Sequence, residues 1–435
     1  MAETIKAALF GGSFDPFHNA HRRILEDLIK LNRFDRIIIM PLGLAPYQDQ
    51  YMTPSGYRHE MTRLGIRGLA GVTLSDYELN RPGQYSYTVD TIDFHKKKIR
   101  NDYVKEKLKS LSKPGASGDR KIRNKKATSN LKALQDAEVE ISLVYGSDAL
   151  NTIEEWHEPE QIMKKAKLLI CCGESENFDH INEKVNYLRA QYQADIDFFK
   201  IRETDLSSAK VREKLTQDKK QKNKLPQAVQ RYIENNKIYV FSHEMAQLNQ
   251  QQRIQLAIYE KEVKKNVSGF RLRHSLNVMQ YAVHLAAVHD YDLMKAAVAG
   301  ILHDIAKSMK VERQYRFAKK LGKLSPLNKN IVHGPAGAWY ADRYLGITDR
   351  EILDALTFHT TSRKKMTKLD QIIYLADKLE YGRPIGNFEK VRKTAETDLA
   401  AAMKLCLEEV RRSLIRRAKK GHPATRAARK HLESR

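Results

Sequence analysis

The run "IKAALF" at 5–10 stops on Gly11-Gly12, and "NAHRRILEDLIKLN" follows with apolar side chains at Ile24, Leu25, Leu28, Ile29 and Leu31. A short apolar run reads as a buried strand, and that spacing is one face of an amphipathic helix. The unit recurs. "RIIIMPLG", "VEISLVYGSDAL" and "AKLLICCG" are three more strand-like runs, each closing on a turn residue. Strands alternating with helical patterns predict an α/β, Rossmann-like domain over 1–242, a parallel sheet with flanking helices. After "IYVFSHEMAQLNQQQ" the strand signal vanishes, leaving helical patterns broken at "LSPLN", "HGP" and "YGRPIG". An all-α domain is therefore expected over 250–435, with 243–249 as linker.

Between Ile92 and Glu138 the alternation gives way to Lys-rich sequence containing "KPGASG", expected as a basic insertion at about 96–138. That insertion holds 14 Lys/Arg against 5 Asp/Glu, and residues 410–435 hold 10 against 1, so these two segments carry most of the net charge of +24. Both are nearly free of aromatic residues, which removes base-stacking platforms. They read as solvated charge runs rather than a nucleic-acid surface. The first residues lack the basic and apolar regions of a signal peptide, and no apolar run reaches the roughly 18 residues of a membrane span. The three cysteines build no disulfide framework, and Cys171 and Cys172 lie in an apolar run. A cytoplasmic protein is expected. Nothing in the sequence addresses oligomeric state.

The stretch "FGGSFDPFHNAH" at 10–21 combines a glycine bend with a helix start. Gly11 and Gly12 permit a sharp turn and close approach to a ligand. Helix N-termini offer free N–H groups and a positive dipole end, a place for phosphate. His18 and His21, three apart, share a helical face. Half a metal site is the alternative, but no third ligand stands at suitable spacing.

The same stretch resembles the signature of the H-x-G-H-type nucleotidyltransferases, the bacterial nicotinate-nucleotide adenylyltransferases in particular. "RHEMTRL" at 58–64, "DYELNRPGQYSYTVDT" at 76–91, "VYGSDAL" at 144–150, Trp156, "LSSAKVR" at 206–212 and "LPQAVQRYIENNKIY" at 225–239 continue the resemblance. It implies transfer of AMP from ATP to nicotinate mononucleotide, with Mg²⁺ arriving on ATP. By resemblance, His18 and His21 face the ATP phosphates, with Gly11, Gly12, Ser13 and Phe14 forming the loop around them. Gly146 and Asp148 fall toward the adenosine ribose, while Ser207, Ser208 and Arg212 hold the departing pyrophosphate. Arg58, Thr88 and Trp156 are implied for nicotinate mononucleotide. Three departures stand out: "APYQ" at 45–48 where the family has Pro-Pro-His-Lys, Ala209 where it has a hydroxyl, and "CCGESE" at 171–176 where a basic residue often follows the strand.

The helical half presents His274, His303-Asp304, His333, His359 and Asp377, with 26 to 30 residues between successive histidines. Each has apolar helical flanks, so separate helices can each deliver a ligand. Imidazole and carboxylate without thiolate suit Fe, Mn, Co or Zn, and Asp304 is placed to bridge two ions. These residues, with "HGPAGAW", "FHTTSRKKMTKLDQIIYLADKLEYGRP" and "KGHPATRAAR", resemble the HD phosphohydrolases, specifically the symmetrical diadenosine tetraphosphate hydrolases. The resemblance implies His274, His303, Asp304 and Asp377 on one metal and Asp304, His333 and His359 on a second, iron foremost, with cleavage of the substrate to two ADP. Arg363, Lys378, Glu380 and Arg383 lie nearby as phosphate contacts or supports of the ligands. The whole reads as a bifunctional enzyme. Two other readings are the same folds acting on a different mononucleotide and phosphoester, and a nucleic-acid binder built on degenerate enzyme domains.

Overall fold

The protein is described here by a computed structural model covering residues 3–44, 52–111, 136–173, 178–201, 206–217, 223–322, 328–383 and 388–434. The "APYQ" departure and residues 112–135 of the basic insertion lie outside the described residues. The chain divides into two compact units. The first comprises Met1–Gln48, Arg58–Val211 and Gln221–Val229; the second comprises Asp49–Tyr57, Arg212–Lys220 and Gln230–Arg435.

Among the described residues the first unit has six strands: β1 (Thr4–Gly12), β2 (Arg36–Pro41), β3 (Val72–Leu74), β4 (Glu138–Gly146), β5 (Lys167–Cys172) and β6 (Ile196–Lys200). All pairings are parallel and the order is β3-β2-β1-β4-β5-β6. Strands covered on both faces read as continuous apolar runs. Along β1, Ile5, Ala7 and Leu9 enter one core while Ala8 and Phe10 enter the other. Leu25 and Leu28 of helix Asn19–Lys30 cover the second face; Ile92 and Ile99 of helix Thr88–Leu111 cover the first. Cys171 and Cys172 are buried and form no disulfide, one in each core.

The expected insertion needs correcting at its start. Residues 96–111 continue helix Thr88–Leu111, because Ile92, Ile99 and Tyr103 form a buried stripe at helical spacing beneath the lysines. Charge density masked that stripe. β3 and β6 were not expected. One is three residues long, and the other, "IDFFK", is too short for its alternation to stand out.

The second unit is helical. Residues 243–249, expected as linker, include most of helix Ser242–Ala246, because Met245 and Leu248 find burial. Helix starts carry the expected chemistry: the Asn249 and Thr367 side chains accept from Gln252 N and Asp370 N, and Asp292 accepts from Lys295 N. Glycine permits close helix contact. A Cβ on Gly300 would lie 2.7 Å from Met279 Cα, so helix Leu293–Leu302 rests backbone to backbone on helix Gly269–Val288. Likewise a Cβ on Gly334 would meet the Thr357 carbonyl at 2.7 Å. Both glycines stand within three residues of a histidine of the site below. Among the described residues no helix is long and apolar enough to cross a membrane.

Candidate active sites

β1 and β4 are neighbours from which the sheet extends in opposite directions, so their carboxyl ends mark the topological switch point where open α/β sheets bind ligands. Gly11 and Gly12 end β1, and Gly146 ends β4 just before Asp148 at the start of helix Ala149–Thr152. A Cβ on Gly11 would stand 3.1 Å from the Tyr145 hydroxyl, and one on Gly12 3.0 Å from the Phe14 ring. Phe14 is fully buried and adopts a φ of 46° as the chain turns.

His18 occupies the N-cap of helix Asn19–Lys30 and His21 its first turn. Their rings stack at 3.6 Å between centroids and 12° between planes. The His18 amide donates to His21 Nδ1 at 3.2 Å, which leaves His21 its proton on Nε2. Burial lowers His18 to about 4. Enclosure by Phe10, Phe14 and Phe17, then the charge of His18, holds His21 well below the usual histidine range. Both rings are neutral at pH 7, able to donate to phosphate oxygens without carrying charge. His18 Nδ1 is buried without a hydrogen-bond partner.

Tyr145 ties this end of the sheet together. Its hydroxyl faces Gly11 and hydrogen-bonds Thr88, and its ring meets Trp156 edge-on at 5.1 Å. The sequence hid it inside a strand. Arg58 is buried and donates to the carbonyls of Ser13 (3.1 Å) and Leu42 (2.7 Å), bracing the glycine bend from behind. Ser207 accepts from Lys210 N, and Ser208 donates to the Pro16 carbonyl, holding the start of helix Ser208–Thr216 to the same loop. Arg212 follows on that helix among residues grouped with the second unit.

In the second unit, five helices deliver six side chains into two groups: His274, His303 and Asp377, and Asp304, His333 and His359. Within each group the ligand atoms lie within 4.8 Å of one another, and all six residues are buried. His303 Nε2 stands 3.2 Å from His274 Nε2 and 3.6 Å from Asp377 Oδ1. His333 Nε2 stands 3.1 Å from His359 Nε2. Asp304 spans the two groups: Oδ1 lies 3.2 Å from His333 Nε2 and 3.6 Å from His359 Nε2, and Oδ2 lies 3.9 Å from His303 Nε2.

The outer contacts aim these ligands. His303 Nδ1 donates to the Gly300 carbonyl and His359 Nδ1 to the Leu356 carbonyl, each at 2.8 Å, so both present an unprotonated Nε2 inward. His274 Nδ1 meets Glu380 Oε1 at 3.1 Å. Burial lowers His303 to about 3 and His333 to about 4. Burial alone would raise Asp304 and Asp377, but their cationic and imidazole neighbours outweigh it and hold both well below the usual carboxylate range. Burial opposes a charge on His274, but Asp377 and Glu380 prevail and raise its pKa. Imidazoles converging on ionised carboxylates, buried, with no thiolate, fit one or two divalent transition metals.

Four cations surround the groups. Arg383 reaches His274 Nε2 (3.0 Å) and Asp377 Oδ1 (3.1 Å), Lys378 reaches Asp377 Oδ2 (2.7 Å), Arg271 reaches Asp304 Oδ2 (3.3 Å), and Lys307 reaches His333 Nε2 (2.9 Å). Sequence reasoning singled out the first two and missed Arg271 and Lys307. Lys307 falls three residues after Asp304, a helical spacing that signals a shared face. Arg363 is committed elsewhere: it pairs with Asp354 inside helix Arg350–Phe358 at 2.9 Å and with Asp370 in the first turn of helix Lys368–Leu379 at 2.6 Å.

Residues 9–214 match the cytidylyltransferase-like family and residues 271–382 the HD domain family. A Mycoplasma genitalium protein named "Probable nicotinate-nucleotide adenylyltransferase/Ap4A hydrolase" is 25% identical over 379 residues, covering 87% of this chain and 88% of its own length. A Halalkalibacterium halodurans protein named "Bis(5'-nucleosyl)-tetraphosphatase, symmetrical" is 36% identical over 168 residues, which are 38% of this chain and 90% of that protein. A solved HD superfamily hydrolase from Clostridium acetobutylicum aligns with 32% identity over 40% of this chain and 95% of its own, with a TM-score of 0.38. The chain thus joins a nucleotidyltransferase domain of the cytidylyltransferase-like kind to an HD domain, and through the latter it belongs to the family of symmetrical bis(5'-nucleosyl)-tetraphosphatases.

Proposed function

We propose that the chain is a bifunctional cytoplasmic enzyme. Its first unit transfers AMP from ATP to nicotinate mononucleotide, giving nicotinate adenine dinucleotide and pyrophosphate. Its second hydrolyses diadenosine tetraphosphate symmetrically to two ADP. The substrates follow the names of the relatives at both ends of the chain. The observation that carries the reading is Asp304, whose two oxygens serve two separate histidine groups.

Adenylyl transfer needs positioning and charge neutralisation, because the attacking phosphate oxygen is already a nucleophile. The glycine bend leaves room for phosphates at the helix start, and neutral His18 and His21 donate to the α-phosphoryl oxygens as charge builds there. Mg²⁺ arrives with ATP and needs no protein cage. Trp156 and Thr88, linked through Tyr145, form the nicotinate end.

In the second unit His274, His303 and Asp377 would hold one metal and Asp304, His333 and His359 the other, with Asp304 between them. Iron is the first candidate, with Mn, Co or Zn as alternatives. A bound metal supplies Lewis acidity and an activated water for phosphoanhydride hydrolysis. The chain's own contribution is orientation: backbone carbonyls fix the imidazole tautomers, and Arg271, Lys307, Lys378 and Arg383 neutralise the tetraphosphate.

A product assay on one preparation tests this. ATP with nicotinate mononucleotide should yield the dinucleotide and pyrophosphate, and diadenosine tetraphosphate with Fe²⁺ or Mn²⁺ should yield ADP. His21→Ala should cost the first reaction about a hundredfold or more and spare the second. Asp304→Ala should do the reverse. One substitution abolishing both reactions, or either reaction missing from the unaltered protein, contradicts the reading.

A further inference from the structure

Glu380 supports His274 from behind, and its second oxygen leads into a buried hydrogen-bond chain. Asn277 Nδ2 donates to Glu380 Oε2 at 2.8 Å and to Asn236 Oδ1 at 2.9 Å. Both amide hydrogens are thereby committed, so Asn277 Oδ1 must accept, and the Tyr57 hydroxyl donates to it at 2.7 Å. Tyr57 in turn accepts from Gln280 Nε2 at 2.5 Å. The polarity admits one reading: Gln280 to Tyr57 to Asn277 to Glu380, with His274 donating to the same carboxylate from the other side. Tyr57, Asn277, Gln280 and Glu380 are all buried, with Tyr57 at 0% exposure.

Tyr57 stands 220 residues before Asn277 and outside residues 271–382 that match the HD family. It belongs with Asp49–Tyr57, a segment of the second unit. Glu260 anchors that segment independently, accepting from the Ser55 hydroxyl at 2.8 Å and from the amides of Ser55 and Gly56.

We propose that Tyr57 is a positioning residue of the HD metal site, acting through Asn277 and Glu380 to fix the orientation of His274. The inference rests on the metal reading of the six side chains. Outer partners of a ligating histidine commonly set metal affinity by 10- to 100-fold. Removing the Tyr57 hydroxyl leaves Asn277 Oδ1 buried and unpaired, freeing the amide to turn and leave Glu380 Oε2 with the Gly382 amide as its remaining donor.

The test is Co²⁺ binding to the full chain, read by visible absorption and by chelator competition. Tyr57→Phe should weaken Co²⁺ affinity about tenfold and alter the absorption bands, with the melting temperature of the metal-free protein within a few degrees of the parent. Asn277→Leu should give a similar loss, and the two combined should lose no more than either alone, because they interrupt one chain. Ser55→Ala, which trims the segment's other anchor, should leave affinity and spectrum unchanged. Unaltered affinity and bands in Tyr57→Phe overturn the proposal, as does an equal loss in Ser55→Ala, which would mark a general effect of the segment. Failure of the parent protein to bind Co²⁺ overturns it together with the metal reading, and is recognised by appearing without any substitution.

Discussion

His284 lies between two carboxylates, Nδ1 at 3.0 Å from Glu244 Oε1 and Nε2 at 2.7 Å from Glu396 Oε2. Burial alone would lower its pKa, but the two carboxylates prevail and raise it to about 9. A histidine protonated more readily in the folded than in the unfolded state stabilises fully below its unfolded pKa near 6.5. That stabilisation fades as pH climbs through about 9. His284→Gln should therefore lower stability most at pH 6, by up to about 3 kcal/mol, with little difference left by pH 10. Denaturant melts of the pair across that range check the sign; a gap that widens with pH contradicts it. Two of the metal-site histidines show the opposite balance, since burial governs His303 and His333, whereas His274, set against Asp377 and Glu380, is raised as His284 is. At this scale the sequence was informative about identities and silent about partners. Four histidines with apolar flanks announced ligands, but nothing in "GYRHEM" shows that Tyr57 points one way and Arg58 another.

The elements were legible where a period survived composition. β1, β2, β4 and β5 announced themselves as apolar runs because both faces are covered, and helix Asn19–Lys30 by its stripe. Helix Thr88–Leu111 did not, since its lysines hide a stripe carried by few residues. β3 has too few residues to carry a pattern. Arg58 shows how an element steadies a loop: from helix Ser55–Gly65 it satisfies two carbonyls at the glycine bend. Arg58→Met removes the donor to both carbonyls, which are only part-buried, and should cost about 1 kcal/mol or more, seen as a lower thermal midpoint with reduced adenylyl transfer. A variant as stable as the parent contradicts the bracing role.

For the molecule as a whole, two units with separate cores predict two unfolding steps. Metal that binds only the folded second unit should raise one step and leave the other in place, by about 2.7 kcal/mol at a hundred times the dissociation constant. Calorimetry with and without Mn²⁺ reads this directly, and equal shifts of both steps contradict it. The two-part architecture was readable from the disappearance of strand pattern past residue 250. The membership of Asp49–Tyr57 in the second unit was not, because a nine-residue segment carries no mark of the core it will join. Helices far apart in sequence converge on two ligand groups joined by Asp304, an arrangement suited to two metal ions. Counting Mn²⁺ per chain by equilibrium dialysis, for the parent and Asp304→Ala, tests it most directly. Two ions are expected in the parent and at most one in the variant; no bound ion in the parent, or the same count in both, contradicts a two-metal centre.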